Sequence, residues 1–589
     1  MIMNKFSKIL ALVVLMLGMT ACVHNLDTKP IDPNSSTSFN QDRMFTKCYA
    51  CMAVIGQSDA GSDSDVEDMD AGMSGFYRTI WYCNDLTTDE AFWIWDDNEA
   101  RGLPTTDWTG ESGMIKGIYT RLNLNIKYCN HYIAYASTET DEEKYRMAEV
   151  RWIRAFHYYF LMDMFLYTPF IIEESDEYPN FIARHKLYEW LVEELENIII
   201  ELPAQRVSKY RVGKAAAQLL LARIYLNADV YNKYNKSWTK GKTETWEKAY
   251  EAASELVNNS GQYDLGLVTD SIVTDSNFVY SAYQQLFMGD NHRDEVMKES
   301  IFQIYQDGLY TQSYAGANFL VSGPRIGGMT AWGIESEWHA LRTSPTLIDK
   351  FLTPMGIDRN KAKEMIFNEY DMPAQLHDDR AILCSEGMNT AEKRNFTLSG
   401  TMTQGSNENF YESWAGVKFT AVYSTATLPK HSPRQNKDWA DNDLLMLRLA
   451  EAYMIQAEAL YRLGKTDEAL DIINNVIRKR ANANPLSSLD ENTLLDEWSR
   501  EFWFEGRRRI DLIRFGRFFG PESDMNRYHW EGRMGKPDGQ QFFVSGTPEY
   551  MNWFPVPFED KRSNPNFKTD VEGDKDNIFA AEGGDGYPY

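Results

Sequence analysis

The chain has 589 residues, 43% of them hydrophobic, a normal share for a globular protein with a sizeable core. A net charge of −26 argues against nucleic acid and against an anionic membrane surface as partners, and it suits neutral ligands. Aromatic residues make up 13%, with 16 Trp and 33 Tyr, and such amphipathic rings are favoured where one side is wet.

At the N-terminus, Lys5 and Lys8 precede an apolar run from Ile9 to Gly18, followed by Met19-Thr20-Ala21-Cys22. A basic start, a short apolar stretch and small residues before a cysteine read as a bacterial lipoprotein signal over residues 1–21. The run is too short for a permanent bilayer span. Cys22 would then carry acyl chains, and several chains on one residue anchor stably. Asp27 to Ser36 reads as a polar tether, so residues 22–40 form the anchor and its link.

Residues 41–260 read as the N-terminal helical section. A helix is expected over Met44–Ile55, with Cys48 and Cys51 packed on one face. No second Cys-x-x-Cys and no nearby histidine accompany that pair, so zinc is not indicated. Asp63-Ser64-Asp65-Val66-Glu67-Asp68 begins like a calcium loop. Asp68 stands where glycine is needed and Ser74 where the bidentate glutamate belongs, so the run reads as a solvated loop.

The most informative stretch is Asp89-Glu90-Ala91-Phe92-Trp93-Ile94-Trp95-Asp96-Asp97-Asn98, with Arg78 upstream, in a loop-like segment over 76–110. Tryptophans at i and i+2 share one side of an extended segment, whereas on a helix they would lie about 200° apart. Indole faces can stack on the C–H faces of a sugar, while Arg78 and Asn98 can donate to its hydroxyls. The flanking charges read as surface. Residue chemistry alone leaves open whether the pair is an exposed ligand platform or partial core.

Helical spacing follows at Glu142–Leu166, Leu187–Leu202, Val212–Asn227 and Thr245–Asn258. Residues 261–440 carry Gly, Ser and Asn with little periodicity and read as an inserted, loop-rich lobe. Helical signal returns at Asp443–Arg462 and Asp467–Arg480, within a C-terminal section spanning 441–520, before an irregular segment at 521–589. Ala457 to Leu470 resembles a tetratricopeptide repeat, and Ala222–Leu226 with Trp246–Ala249 is a looser copy. The fold class is therefore mainly α, a tetratricopeptide-like scaffold bearing a large irregular ligand lobe. Glu501 and Glu505 lie one helical turn apart, but their setting among Arg500, Arg507, Arg508, Arg509 and Arg514 reads as an ion-pair network rather than a glycosidase pair. Gly464-Lys465-Thr466 lacks the first glycine of a phosphate loop.

Two stretches, Asp443–Met454 with Ala457-Glu458-Ala459, and Glu497–Gly516, are similar to those that mark the SusD/RagB family. These are surface glycan-binding lipoproteins of Bacteroidota. The resemblance spans essentially the whole chain and is strongest to the family's starch-binding founder, at Gly75–Arg78, Asn84–Glu90, Gln306–Gly308 and Gly506–Arg509. It implies a right-handed array of four tetratricopeptide units and no enzymatic activity. The implied ligand is starch or an α-glucan oligosaccharide, held by Arg78, Trp93, Trp95, Asn98, Tyr314 and Trp338. In that reading Trp93, Trp338 and Tyr314 form the aromatic arc. It also implies a calcium site at Asp290, Asp441 and Asp443, although the loop Asp290–Asp294 departs from the family pattern. The implied location is the outer membrane, facing outward. The implied partner is a SusC-like TonB-dependent β-barrel transporter, with other surface glycan-binding lipoproteins and amylases nearby.

Overall fold

A computed structural model describes residues 38–567, except for 388–412, 425–437, 519–551, shorter stretches at 57–63, 104–107, 267–271, 274–278, 328–331 and 368–370, and some single or paired positions. The signal segment and Cys22 lie outside the described residues. Among the described residues, no helix is long and apolar enough to cross a membrane.

Helix α1 (Gln41–Ala53) starts at Asn40, whose side chain accepts from Arg43 N at 3.0 Å, as N-cap asparagines do. Helix α2 (Phe76–Asp85) is buried along its whole length, and strand β1 (Ala91–Trp93) follows it. The scaffold then runs through α3 (Gly113–Tyr135), α4 (Asp141–Met164), α5 (Arg184–Glu201), α6 (Lys214–Leu226) and α7 (Thr243–Asn258). A capping box between Thr140 and Glu143 opens α4.

After α7 the chain leaves the scaffold. It forms β2 (Ser300–Ile304), β3 (Leu341–Thr343) and α8 (Pro345–Leu352), returns through β4 (Leu444–Arg448), and rejoins at α9 (Leu449–Arg462). Helix α10 (Thr466–Ile472) continues as a π-turn over Ile473–Arg478, and α11 (Glu491–Phe502) and α12 (Arg508–Arg514) end the body. Each scaffold helix from α3 to α7 packs on the next, and α7 packs on α9, which packs on α10. Buried alanines on these helices, among them Ala216, Ala222, Ala249, Ala253, Ala452 and Ala459, permit the close approach that the repeat pattern implied. The molecule is mainly α.

One expected helix boundary moves. Helical spacing predicts helix from Asp443, yet Leu444–Arg448 is a strand, antiparallel to β2 with Leu444 opposite Ile304 and Leu445 opposite Gln303. A short apolar run reads alike as buried strand or helix, so the pairing partner decides.

The segment 76–90 also differs from its reading as an exposed loop. Asp89 is wholly buried, held by Arg508 at 2.7 Å and Lys350 at 2.8 Å. Glu90 accepts from Ser499 Oγ at 2.6 Å. Asp85 accepts from Gly506 N at 2.9 Å, and Trp81 Nε1 donates to Phe504 O at 3.0 Å. These bonds clamp α2 onto the turn after α11, where Gly506 sits at φ +72°, a left-handed backbone suited to glycine. The charged residues look like surface in sequence, but their partners lie between 261 and 421 residues away.

Glu501 lies at the centre of a buried ionic network. Arg448 reaches it at 2.7 Å and Arg380 at 3.3 Å, and Arg480 also bonds it. Glu505 binds Lys418 at 2.6 Å and Arg448 at 2.8 Å. Arg507, Arg508 and Arg509 pair with Asp511, Asp89 and Asp163 respectively.

Candidate functional site

Strand β1 pairs antiparallel with β3, placing Trp93 opposite Leu341, and this contact brings Trp93 and Trp95 to Trp338. Trp338 N donates to Ser322 O at 3.0 Å, and its indole N–H donates to Ser336 Oγ at 2.8 Å, which fixes the ring. Trp95 lies nearly parallel to Trp338, with centroids 5.8 Å apart and planes at 29°. Tyr314 follows at 5.9 Å from Trp338 and is 41% exposed. Trp439 continues the row, 4.7 Å from Tyr314. The result is a half-exposed row of four rings, Trp95, Trp338, Tyr314 and Trp439.

Two residues assigned to the ligand from sequence occupy other places. Trp93 is fully buried. It lies edge-on to Trp95 at 5.7 Å and to Trp338 at 6.3 Å, and its N–H donates to Asp97 Oδ2 at 2.6 Å. Both faces of β1 are covered, so alternation along the strand exposes neither side. Trp93 therefore backs the row of rings. Arg78, expected as a donor to hydroxyls, is 2% exposed. Its guanidinium lies 5.1 Å from the Trp93 ring and 5.6 Å from the Trp338 ring. It donates to Gly72 O at 2.9 Å, Tyr314 O at 3.2 Å and Tyr82 Oη at 2.6 Å. Being on a buried helix, it positions Tyr314 and supports the indoles by cation–π contact. Asn98 is exposed beside Asp97, the residue that fixes Trp93. Burial raises the Asp97 pKa, opposed by the Trp93 hydrogen bond and by Arg78.

Trp439 escaped the sequence reading because nothing near it signals a site. An amide clamp positions it: Asn318 Nδ2 donates to Asp438 O at 3.0 Å and Asn318 Oδ1 accepts from Ala440 N at 2.5 Å. At Gly75 a Cβ would stand 2.4 Å from Ala315 Cβ, so glycine there lets the segment before α2 approach the Tyr314 loop.

Each of the three aspartates assigned to calcium has protein partners of its own. Asp290 accepts from Ser424 N and Oγ and pairs with Arg293 at 3.2 Å. Asp441 accepts from Tyr423 Oη, and Asp443 accepts from Gln306 N at 2.9 Å. Among the described residues, no group of three or more His, Cys, Asp or Glu side chains converges on a point. Calcium binding requires six to eight oxygens, and an arginine on one ligand repels a cation. Treatment with a chelator is therefore expected to leave the thermal midpoint unchanged. A drop reversed by added calcium would contradict this.

Glu501 is buried and Glu505 half-buried, and both are bonded to basic side chains, which leaves them unsuited to catalysis on a sugar.

Residues 298–572 match the model of the SusD family. The chain is 34% identical to the starch-binding protein SusD of Bacteroides thetaiotaomicron, over 94% of this chain and 96% of that protein. A solved SusD-like carbohydrate-binding protein from Bacteroides fragilis shares the fold, with a TM-score of 0.62, 16% identity, and 90% of this chain and 98% of that one covered. A structure solved with xylogluco-oligosaccharide has a TM-score of 0.60 at 15% identity, covering 89% and 97%.

Proposed function

This chain belongs to the SusD family, and from that premise we propose that it binds starch and maltooligosaccharides without catalysing their breakdown. The observation that carries the reading is the row of Trp95, Trp338, Tyr314 and Trp439. Successive rings set at angles to one another, from 29° to 58°, make a bent surface. An α-linked glucan curves, so a bent row touches several glucose faces, where a straight β-linked chain would meet fewer. Asn98, close after Trp95 in the chain, is exposed and can serve as a donor and acceptor for hydroxyls. Arg78 and Trp93 hold the rings rather than the sugar.

Affinity electrophoresis against starch, pullulan, dextran and a non-glucan polysaccharide tests the substrate class. Retardation by starch and pullulan but not by the non-glucan is expected. Equal mobility in all four gels would overturn the glucan reading. Release of reducing sugar from amylose by the purified protein would overturn the non-catalytic one.

In this proposal the protein is anchored at the outer-membrane surface by acylated Cys22 and passes its ligand to a SusC-like TonB-dependent transporter. The short apolar run before Cys22 supports the anchor. Cys22→Ala is expected to move the protein from the membrane fraction to the soluble one with glycan binding unchanged. Continued membrane retention would rule out lipidation as the attachment. Mild detergent extraction should recover a large β-barrel with the protein.

A further inference from the structure

We propose a second pocket for a neutral oligosaccharide, between α1, β2 and the loop 305–312, served by the same loop that carries Tyr314. The cavity measures about 720 Å³, within the range of small-molecule sites. Six rings line it: Phe45, Tyr49, Tyr210, Phe302, Tyr305 and Tyr310. Tyr210 meets Tyr305 edge-on at 4.9 Å, and Phe45 meets Tyr49 at 5.3 Å.

Charge narrows the ligand. Among the described lining residues Arg211 alone is charged. Its guanidinium is occupied by Glu149 at 2.5 Å and Glu142 at 2.7 Å. The wall therefore recruits neither an anion nor a cation. Its remaining polar side chains are neutral, among them Thr46, Thr311 and Gln312. Aromatic faces combined with phenol, hydroxyl and amide groups match a pyranose, which has apolar C–H faces and polar edges.

The rim is set in advance. Tyr310 is 84% exposed, and Leu309 and Tyr305 on the same segment are exposed with it. Asp307 Oδ1 accepts from the backbone N–H of Leu309 at 2.9 Å, Tyr310 at 2.8 Å and Thr311 at 3.0 Å, fixing the turn that presents it. A turn whose backbone is held in advance loses little conformational freedom on binding. The cavity is separate from the four-ring row, since none of those rings lines it.

The choice of maltohexaose as probe rests on the glucan reading above. Calorimetric titration of the intact soluble protein is expected to find two molecules bound per chain. Trp95→Ala with Trp338→Ala should remove one event, and Tyr305→Ala with Tyr310→Ala the other, each weakened at least about tenfold. Both tyrosines are exposed, so the second pair should fold. Ala50→Phe, placed on the cavity wall, should remove the same event by filling it. One molecule per chain, untouched by Tyr305→Ala/Tyr310→Ala and Ala50→Phe, would overturn the pocket and leave the four-ring site standing. Binding lost only in the tyrosine variant would overturn the four-ring site instead. No binding at all would overturn both.

Discussion

Replacing Trp95, Trp338 and Tyr314 together with alanine is expected to reduce retention by starch sharply and to weaken maltooligosaccharide binding at that site roughly a hundredfold or more. Each stacking contact contributes on the order of 1 kcal/mol, and 1.4 kcal/mol is a factor of ten. The three rings are partly exposed and lie at the edge of the core, so the helical circular dichroism should persist. Trp93→Ala should behave differently. Its indole is fully buried behind the row, and removing it costs about 3–5 kcal/mol in cavity and transfer terms. It should lower the unfolding midpoint as well as affinity. A triple variant that folds and binds amylose normally would place the site elsewhere, and a Trp93 variant of wild-type stability would show that the ring is not core.

Glu501→Ala is expected to destabilise the protein by about 3–5 kcal/mol, because it strands Arg380, Arg448 and Arg480 around a carboxylate that is no longer there. Denaturant unfolding measures this, with exposed Glu139→Ala as a control expected to stay within about 0.5 kcal/mol. A Glu501 variant as stable as the control would contradict the network's role. The same residue makes a prediction for acid. Burial alone pushes its pKa up, but the guanidiniums of Arg480, Arg448 and Arg380 outweigh burial and hold it at about 2. A folded pKa below the ordinary 4.5 means the stabilisation is present above pH 4.5 and is lost as pH falls through about 2. Glu501→Gln should therefore lose most of its stability difference from the wild type across that window.

The Gly506-Arg507-Arg508-Arg509 stretch, one of those carrying the family resemblance, stands in the structure as a staple. Its three arginines reach carboxylates from α12, the segment after α2, and α4. Mutations there should act on folding and leave glucan preference unchanged.

The helical scaffold was legible in the chain because its periodicity and small-residue pattern are local: α4 to α7 fall within a few residues of where spacing alone puts them. Trp95, Tyr314 and Trp338 could be singled out as well, from residue chemistry and resemblance. What each side chain faces was not legible, because burial is set by partners distant in sequence. Asp89 and Glu90 look exposed until Arg508, Lys350 and Ser499 are brought to them. Trp93 looks like a platform until β3 and Tyr82 cover it. Arg78 carries a charge that would suit a ligand, but α2 turns it inward onto Tyr82 and the backbone of Tyr314. Trp439 has no motif of its own and joins the row only because Asn318, more than a hundred residues earlier, grips the backbone on either side of it. Local spacing thus determined which elements form, and long-range hydrogen bonds and ion pairs decided which rings meet solvent.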